Sequence, residues 1–434
     1  MSYCLFLGVT LMLFLRPGDL VSSSNEVPIY EWLIIGCTLT SVSGLAKQLR
    51  WASIREQPVK ALVLGIGAAA TMSALPHSLS EALVAAIACA KNLLFYLLLL
   101  VQIDSPRRLL NFLLFLMLCI LALGALPILH QQGIIHLESL DAVQQGETDL
   151  ATGDRYYIPR MQSTGIFNDP NDLAIVTAVG ILLCGWFALG ASSIGARLLG
   201  VAGMLPLYYV LYETRSRGGM LALMGGLAVF GITRFGWRKA LPLLSAVLPV
   251  LLLASAGRVA EMSVTEGTGQ QRIRLWSEGI EMLRSSPLFG VGYMKYAEHA
   301  GLQAHNSFVN SYAELGFCGG TCFFGAFACA ATMLHRAVRP AAKVPTDDIT
   351  WRARPVLLAI TASYVTGMMS LSRAYVLPTY LVLGIDTAWL SLAGVERSYP
   401  SFRLGTALVQ RLSLASGLFV VLIYIYIRLF AVWA

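Results

Sequence analysis

The chain has 434 residues, 56% hydrophobic and 13% charged, with a mean hydropathy of +0.67 and a formal net charge of +7. A soluble domain carries roughly 25% charged residues, so this chain has too few to cover a water-exposed surface of its size. That excludes a soluble globular enzyme. It also removes nucleic acid as the reason for the positive charge, whose meaning lies in where the cations fall along the chain.

Apolar runs near the ~20 residues that cross a ~30 Å hydrocarbon core recur at 2–15, 28–46, 60–76, 81–101, 109–129, 171–190, 198–213, 218–233, 240–256, 306–334, 355–371, 378–395 and 412–431. A helix satisfies its own backbone in lipid, so these segments predict an all-α fold: a polytopic transmembrane helical bundle of 12–13 spans. The first segment is short enough to fit the apolar core of a signal peptide, but no basic residue precedes it and no cleavage site is obvious, so it is read as an uncleaved anchor. With the N-terminus inside, the inner loops hold 18 of the 31 Lys and Arg residues, Arg339, Lys343 and Arg397 among them, against 5 in the short outer segments. Basic residues favour the inner side, which sets the orientation. The expected organisation is N-terminal transmembrane helices over 1–129, an outer acidic loop over 130–170, and central transmembrane helices with an arginine motif over 171–256. A large outer loop over 257–305 and C-terminal transmembrane helices over 306–434 complete it.

All eight cysteines fall inside predicted spans and read as small packing residues. Cys318 and Cys322 stand one turn apart, but no His or carboxylate shares a ligand spacing with them, and no metal is expected there.

Both long outer loops carry signals. The first contains Glu138, Asp141, Glu147, Asp149, Asp154 and Asp169, and ends in Ser163-Thr164-Gly165-Ile166-Phe167-Asn168-Asp169-Pro170-Asn171-Asp172. This end predicts a helix start, with Asn168 or Asp169 as cap and Pro170 at the first helical position. It either only caps a membrane helix or also turns its amides and carboxamides toward a polar ligand. In the second loop, Ile273, Trp276, Ile280 and Leu283 recur at helical spacing, with Arg272, Glu281 and Arg284 off the stripe. The expectation is an amphipathic interfacial helix on the outer boundary, serving as an anchor or as the roof of a site for a lipid-linked substrate. Pro287-Leu288-Phe289-Gly290-Val291-Gly292 then turns the chain back toward the bilayer.

Arg215-Ser216-Arg217-Gly218-Gly219 precedes an inward-running span, so two guanidinium groups sit outside, against the charge trend. Paired arginines grip phosphate, a helix N-terminus adds oriented amides, and Gly218 and Gly219 allow close backbone approach. The combination suits a diphosphate. The alternative is a pair of arginines reaching for lipid headgroups. His305 stands just before Asn306 and another inward-running span. A positive helix end there disfavours imidazolium and favours the neutral ring that a general base needs, although a lone histidine in this position also serves structural roles. Glu314 and Lys91 are intramembrane ionisable groups, costly unless paired or facing a cavity.

Arg217-Gly218-Gly219-Met220-Leu221 and His305-Asn306-Ser307-Phe308-Val309-Asn310-Ser311-Tyr312-Ala313-Glu314-Leu315-Gly316 resemble the arginine and histidine motifs of the O-antigen ligase and polysaccharide polymerase superfamily of bacterial membrane proteins. The likeness covers roughly 160–335. The resemblance implies a metal-independent membrane glycan transferase of the bacterial cytoplasmic (inner) membrane, with its active site facing the periplasm. Glycan would pass from an undecaprenyl-diphosphate-linked donor to an acceptor hydroxyl on glycan or lipid A core, with no cofactor. In that scheme His305 takes the acceptor proton, and Arg215 and Arg217, with Gly218 and Gly219, hold the diphosphate. Arg272 and Arg274 extend the phosphate surface or form a solvated helix face. Asn168, Asp169 and Asn306 are further substrate-binding candidates, and Asp154, Arg160 and Arg373 are candidates for glycan contact. A polytopic transporter or flippase for a lipid-linked saccharide is the alternative. It would be expected to show matching halves and a polar midplane, and the sequence shows neither.

Overall fold

A computed structural model describes residues 1–16, 18, 28–148, 155–254, 268–337, 348–395 and 402–431. Asp149, Asp154, Arg339, Lys343, Arg397 and the start of the large loop at 257–267 lie outside the described residues. The described helices are α1 (Ser2–Phe14), α2 (Ile29–Gln48), α3 (Trp51–Glu56), α4 (Pro58–Ala74), α5 (Leu79–Gln102), α6 (Pro106–Gln131), α7 (Pro170–Gly190), α8 (Ile194–Glu213) and α9 (Arg217–Phe235). They continue with α10 (Trp237–Ala254), α11 (Thr268–Ser285), α12 (Tyr296–Ala300), α13 (Ser307–Arg336), α14 (Asp348–Met368), α15 (Leu377–Leu392) and α16 (Thr406–Phe430). Each of the thirteen apolar segments coincides with one of them. Eight helices, α2, α5 to α9, α13 and α16, are long and apolar enough to cross a membrane; α1, α4 and α15 are shorter apolar helices. The protein is a multi-pass, all-α membrane protein.

The acidic loop holds a two-stranded antiparallel hairpin not expected from the sequence, β1 (Val143–Thr148) and β2 (Arg155–Arg160), with Val143 opposite Arg160 and Gln145 opposite Ile158. Its residues are mostly polar and lack the alternation that marks a half-buried strand, so the ladder bonds carry it.

The chain divides into two compact units. The first comprises Met1–Thr40, Arg107–Val259 and Arg352–Gly367. Its centre is α7, which packs on α8 and α9 and is buried along most of its length. In this unit Phe6 of α1 stacks on Phe112 at 5.7 Å, and Phe14 meets Phe167 at 5.2 Å.

The second unit comprises Ser41–Pro106, Ala260–Trp351 and Met368–Ala434, and centres on α13, which packs on α4, α11, α15 and α16. α13 is not continuous. At Gly316 the backbone leaves the helix (φ 64°, ψ −168°). Segment 287–292 inserts at the break: Val291 N donates to Ala313 O at 2.9 Å, Gly292 N to Glu314 O at 3.1 Å, and Phe317 N to Pro287 O at 2.7 Å. Orphaned helix carbonyls and amides thus find partners in a second segment, which irregular backbone at membrane depth requires. The contact works only with glycine on both sides. A Cβ on Gly290 would lie 2.3 Å from the Glu314 carbonyl carbon, and one on Gly316 2.4 Å from Leu288.

The amphipathic stripe of α11 differs from expectation in what covers it. Ile273 is buried with Met282, Tyr296, Ala304, Val309, Ala313, Ile423 and Ile427, and Trp276 and Ile280 pack against the same cluster. The stripe thus faces α13 and α16 rather than lying on lipid, because protein side chains offer a close-packed surface for it.

Candidate functional site

The arginine motif sits in the first unit at the N-terminus of α9. Ser216 is the N-cap and accepts from Gly219 N at 3.2 Å; Arg217 is the first helical residue, and Arg215 stands just outside the cap. Arg215 has φ 54°. A non-glycine residue held there costs about 1–3 kcal/mol and persists only where its surroundings fix it.

Arg160 and Asn171 do the fixing. Arg160 donates to Thr214 O at 2.9 Å, Gln145 Oε1 at 2.6 Å and Asn171 Oδ1 at 2.9 Å. Ser216 Oγ donates to the same Asn171 oxygen at 2.8 Å. Asn171 is held in turn by the start of α7, where Asp169 caps by accepting from Asn171 N at 2.8 Å and Asp172 N at 3.3 Å, with Pro170 at the first helical position. Of the two cap candidates, Asp169 is the cap; Asn168 is exposed and ends the short helix Gly165–Phe167. The hairpin, the start of α7 and the start of α9 are thus one hydrogen-bonded assembly. Arg160, a glycan candidate by sequence, is its central strut.

The two motif arginines differ. Arg215 lies over the Tyr212 ring, 4.6 Å from its centroid. Arg217 is half-buried, and among the described residues it has no ion pair and no side-chain hydrogen bond. Of the two glycines, Gly219 is explained by packing instead of ligand approach, since a Cβ there would lie 2.3 Å from that of Ala174 in α7. Gly218 is half-buried at the second position of α9.

The histidine motif, in the second unit, repeats the design. His305 is half-buried with φ 50°, and Asn306 is the N-cap of α13, accepting from Phe308 N at 3.0 Å and Val309 N at 3.3 Å. Among the described residues only Arg215, Met294 and His305 combine a side chain with positive φ. Two of these three, Arg215 and His305, each stand immediately before the N-cap of a helix.

Asn306 uses its oxygen on the cap and leaves Nδ2 buried without a hydrogen-bond partner among the described residues. Trp276 Nε1 donates to Ala304 O at 3.0 Å, which fixes the residue before His305. Ser307 Oγ donates to Leu371 O at 2.6 Å and accepts from Arg373 N at 2.8 Å, so the chain before α15 is clasped against the motif. This places the backbone of Arg373 at Ser307, two residues from His305, a juxtaposition that sequence spacing does not reveal. Arg272 is half-buried and Arg274 exposed on α11. Glu314 is buried and accepts from Tyr296 N at 3.0 Å, anchoring α12; Lys91 is exposed on α5. Close by, hydrogen bonds to Glu298 and Glu81 raise the pKa of Lys295, and burial raises that of the Tyr296 hydroxyl.

Among the described residues no group of three His, Cys, Asp or Glu side chains is arranged to hold a metal ion. Fold and motifs together define a polytopic membrane protein with strained, capped cationic and imidazole sites. Comparison with known proteins agrees: residues 201–324, which contain both motifs, match the family described as O-antigen ligase. The exopolysaccharide production protein ExoQ of Rhizobium meliloti (strain 1021) is 27% identical over 190 residues. That alignment covers 36% of this chain and 42% of ExoQ. The resemblance to the O-antigen ligase and polysaccharide polymerase superfamily is supported by both comparisons.

Proposed function

We propose that the protein transfers glycan from an undecaprenyl-diphosphate-linked donor to an acceptor hydroxyl at the outer face of the cytoplasmic membrane. The observation that carries this reading is Arg217: a half-buried guanidinium with no ion pair or side-chain hydrogen bond among the described residues, at a helix N-terminus, beside a second arginine in strained backbone. A cation kept unpaired in this setting suits an anionic ligand, and the amides of the first turn add to its field. As the glycosyl bond breaks, charge develops on the departing diphosphate, and fixed donors aimed at that charge lower the barrier. His305 takes the proton of the attacking hydroxyl, with Asn306 Nδ2 available to orient the acceptor. Arg272 and Arg274 are further candidates for phosphate contact, and no metal ion is needed.

Repeat-unit polymerisation is the first activity to test, because it needs no acceptor beyond the donor itself. Purified protein is given a lipid-diphosphate-linked repeat unit as the sole glycan, and products are read by mass spectrometry with and without EDTA. Lengthened lipid-linked chains, formed equally in EDTA, are expected. If nothing forms until lipid A core is added, the protein is a ligase. If nothing forms with either acceptor, the transferase reading fails.

A further inference from the structure

Three polar side chains recur four residues apart at the start of α13: the cap Asn306, then Asn310 one turn in and Glu314 two turns in. At this spacing they follow one face of the helix, over about 12 Å. All three are buried. Each nevertheless keeps one polar atom without a hydrogen bond among the described residues: Asn306 Nδ2, Asn310 Oδ1 and Glu314 Oε2. The hydroxyl of Tyr375, from the chain before α15, lies beside the Glu314 carboxyl and is likewise buried without hydrogen-bond geometry to any described residue.

A buried polar group left without a partner costs about 1–3 kcal/mol, and native proteins keep few of them. Four such atoms along one helix face, donors and acceptors together, call for a common partner. Water fits best, because it donates and accepts and reaches enclosed atoms that a sugar or a lipid headgroup does not. A bare cation fits poorly, since one carboxylate and one carboxamide oxygen are too few ligands. The polar series begins next to His305 and ends two residues before the break of α13 at Gly316, where segment 287–292 is bonded in. The next position in the series is Cys318. A route for protons inside a membrane protein has to stop in this way if it is not to leak across the bilayer.

We infer that this row holds a file of waters through which the proton taken by His305 passes to the Glu314 carboxylate. The inference rests on the transfer reaction given above and adds where its proton goes. The Asn306 amide has two N–H bonds, one for the acceptor hydroxyl and one for the first water. The acceptor oxygen bonds the anomeric carbon, the bond from that carbon to the diphosphate breaks with its electron pair on the diphosphate, and the acceptor proton moves to His305. The imidazolium gives a proton to the first water, and the last water gives one to Glu314. After the diphosphate departs, the same file returns the proton to the outer face. Glu314 acts through His305 and does not touch substrate. A Glu314 that only anchored α12 would do no more than accept from Tyr296 N, which a glutamine oxygen does equally well.

The test compares wild type, Glu314→Gln and Asn310→Leu in lipid nanodiscs, by transfer kinetics and by infrared difference spectra recorded as the medium is acidified. Glu314→Gln is expected to lower kcat on the order of tenfold or more, with the donor KM and the melting temperature unchanged, because His305 remains and only the exit of its proton is slowed. Asn310→Leu, close in shape and apolar, is expected to lower kcat in the same way. The titratable groups that sense Glu314 are Tyr293, Tyr296 and Tyr375. None of them is a carboxyl, so a protonated-carboxyl band present in wild type and absent from Glu314→Gln belongs to Glu314. Such a band is expected, shifting in D2O. Full kcat in either folded variant, or no exchanging band assigned to Glu314, would overturn the relay; if Glu314→Gln does not fold, the Asn310→Leu rate decides. The spectra need no turnover. An exchanging Glu314 band in a protein that transfers no glycan would therefore count against the transferase reading alone, and transfer at full rate in Glu314→Gln against the relay alone.

Discussion

His305 and Arg217 make different demands at the residue scale. His305 has φ 50°, a conformation asparagine tolerates better than most residues. His305→Asn therefore keeps the backbone and removes the proposed base. Transfer is expected to fall at least 100-fold, the usual scale for losing a general base, with the melting temperature unchanged. Retained transfer in a folded His305→Asn protein would reduce the histidine to a structural residue. Among the described residues Arg217 has no hydrogen bond or ion pair to lose, so Arg217→Ala is expected to impair transfer without lowering thermal stability. Arg160→Ala removes three hydrogen bonds and is expected to destabilise by on the order of 3 kcal/mol, read as a lower melting temperature by scanning fluorimetry. The motif residues were legible from the sequence because their spacing is local. Arg160 was visible only as an outer-face cation, since its contacts to Thr214 and Gln145 join distant parts of the chain.

At the scale of elements, each of the two motifs is built on helix starts. α7, α9 and α13 each begin with a side-chain cap, and capping residues just ahead of apolar runs made those starts readable. What pattern alone hides is the interior of α13. The ten-residue spacing from His305 to Gly316 was apparent, but its reason, a helix break plugged by segment 287–292, depends on Gly290 and Gly316 meeting backbone to backbone. Gly316→Ala and Gly290→Ala both force a Cβ to within 2.4 Å of backbone, where no rotamer change can relieve it, and both are expected to abolish recovery of monodisperse protein. Gly185→Ala in α7 meets nothing within 4 Å and is expected to be neutral or slightly stabilising, given alanine's helix propensity. Size-exclusion profiles of the three variants side by side would decide this, and well-behaved Gly316→Ala protein would contradict the role given to the break. The hairpin and the covered stripe of α11 escaped the sequence for a related reason: ladder pairing and burial against α13 and α16 are decided by tertiary partners.

For the whole molecule, composition settled the class, and apolar runs located the long helices to within about two turns at either end. Orientation rests on the unequal distribution of Lys and Arg. Single cysteines at exposed Arg274 on α11 and exposed Lys239 on α10, in a background freed of native cysteines, are expected to react from opposite sides of the membrane with an impermeant thiol reagent. Labelling of both from one side would overturn the topology. The chemistry is tested most directly by mass spectra of the glycolipid products formed from a lipid-diphosphate-linked repeat unit by purified wild-type, Arg217→Ala and His305→Asn proteins. The account predicts chains longer by whole repeat units for the wild type, lost in both folded variants; elongation that persists in either variant would contradict it.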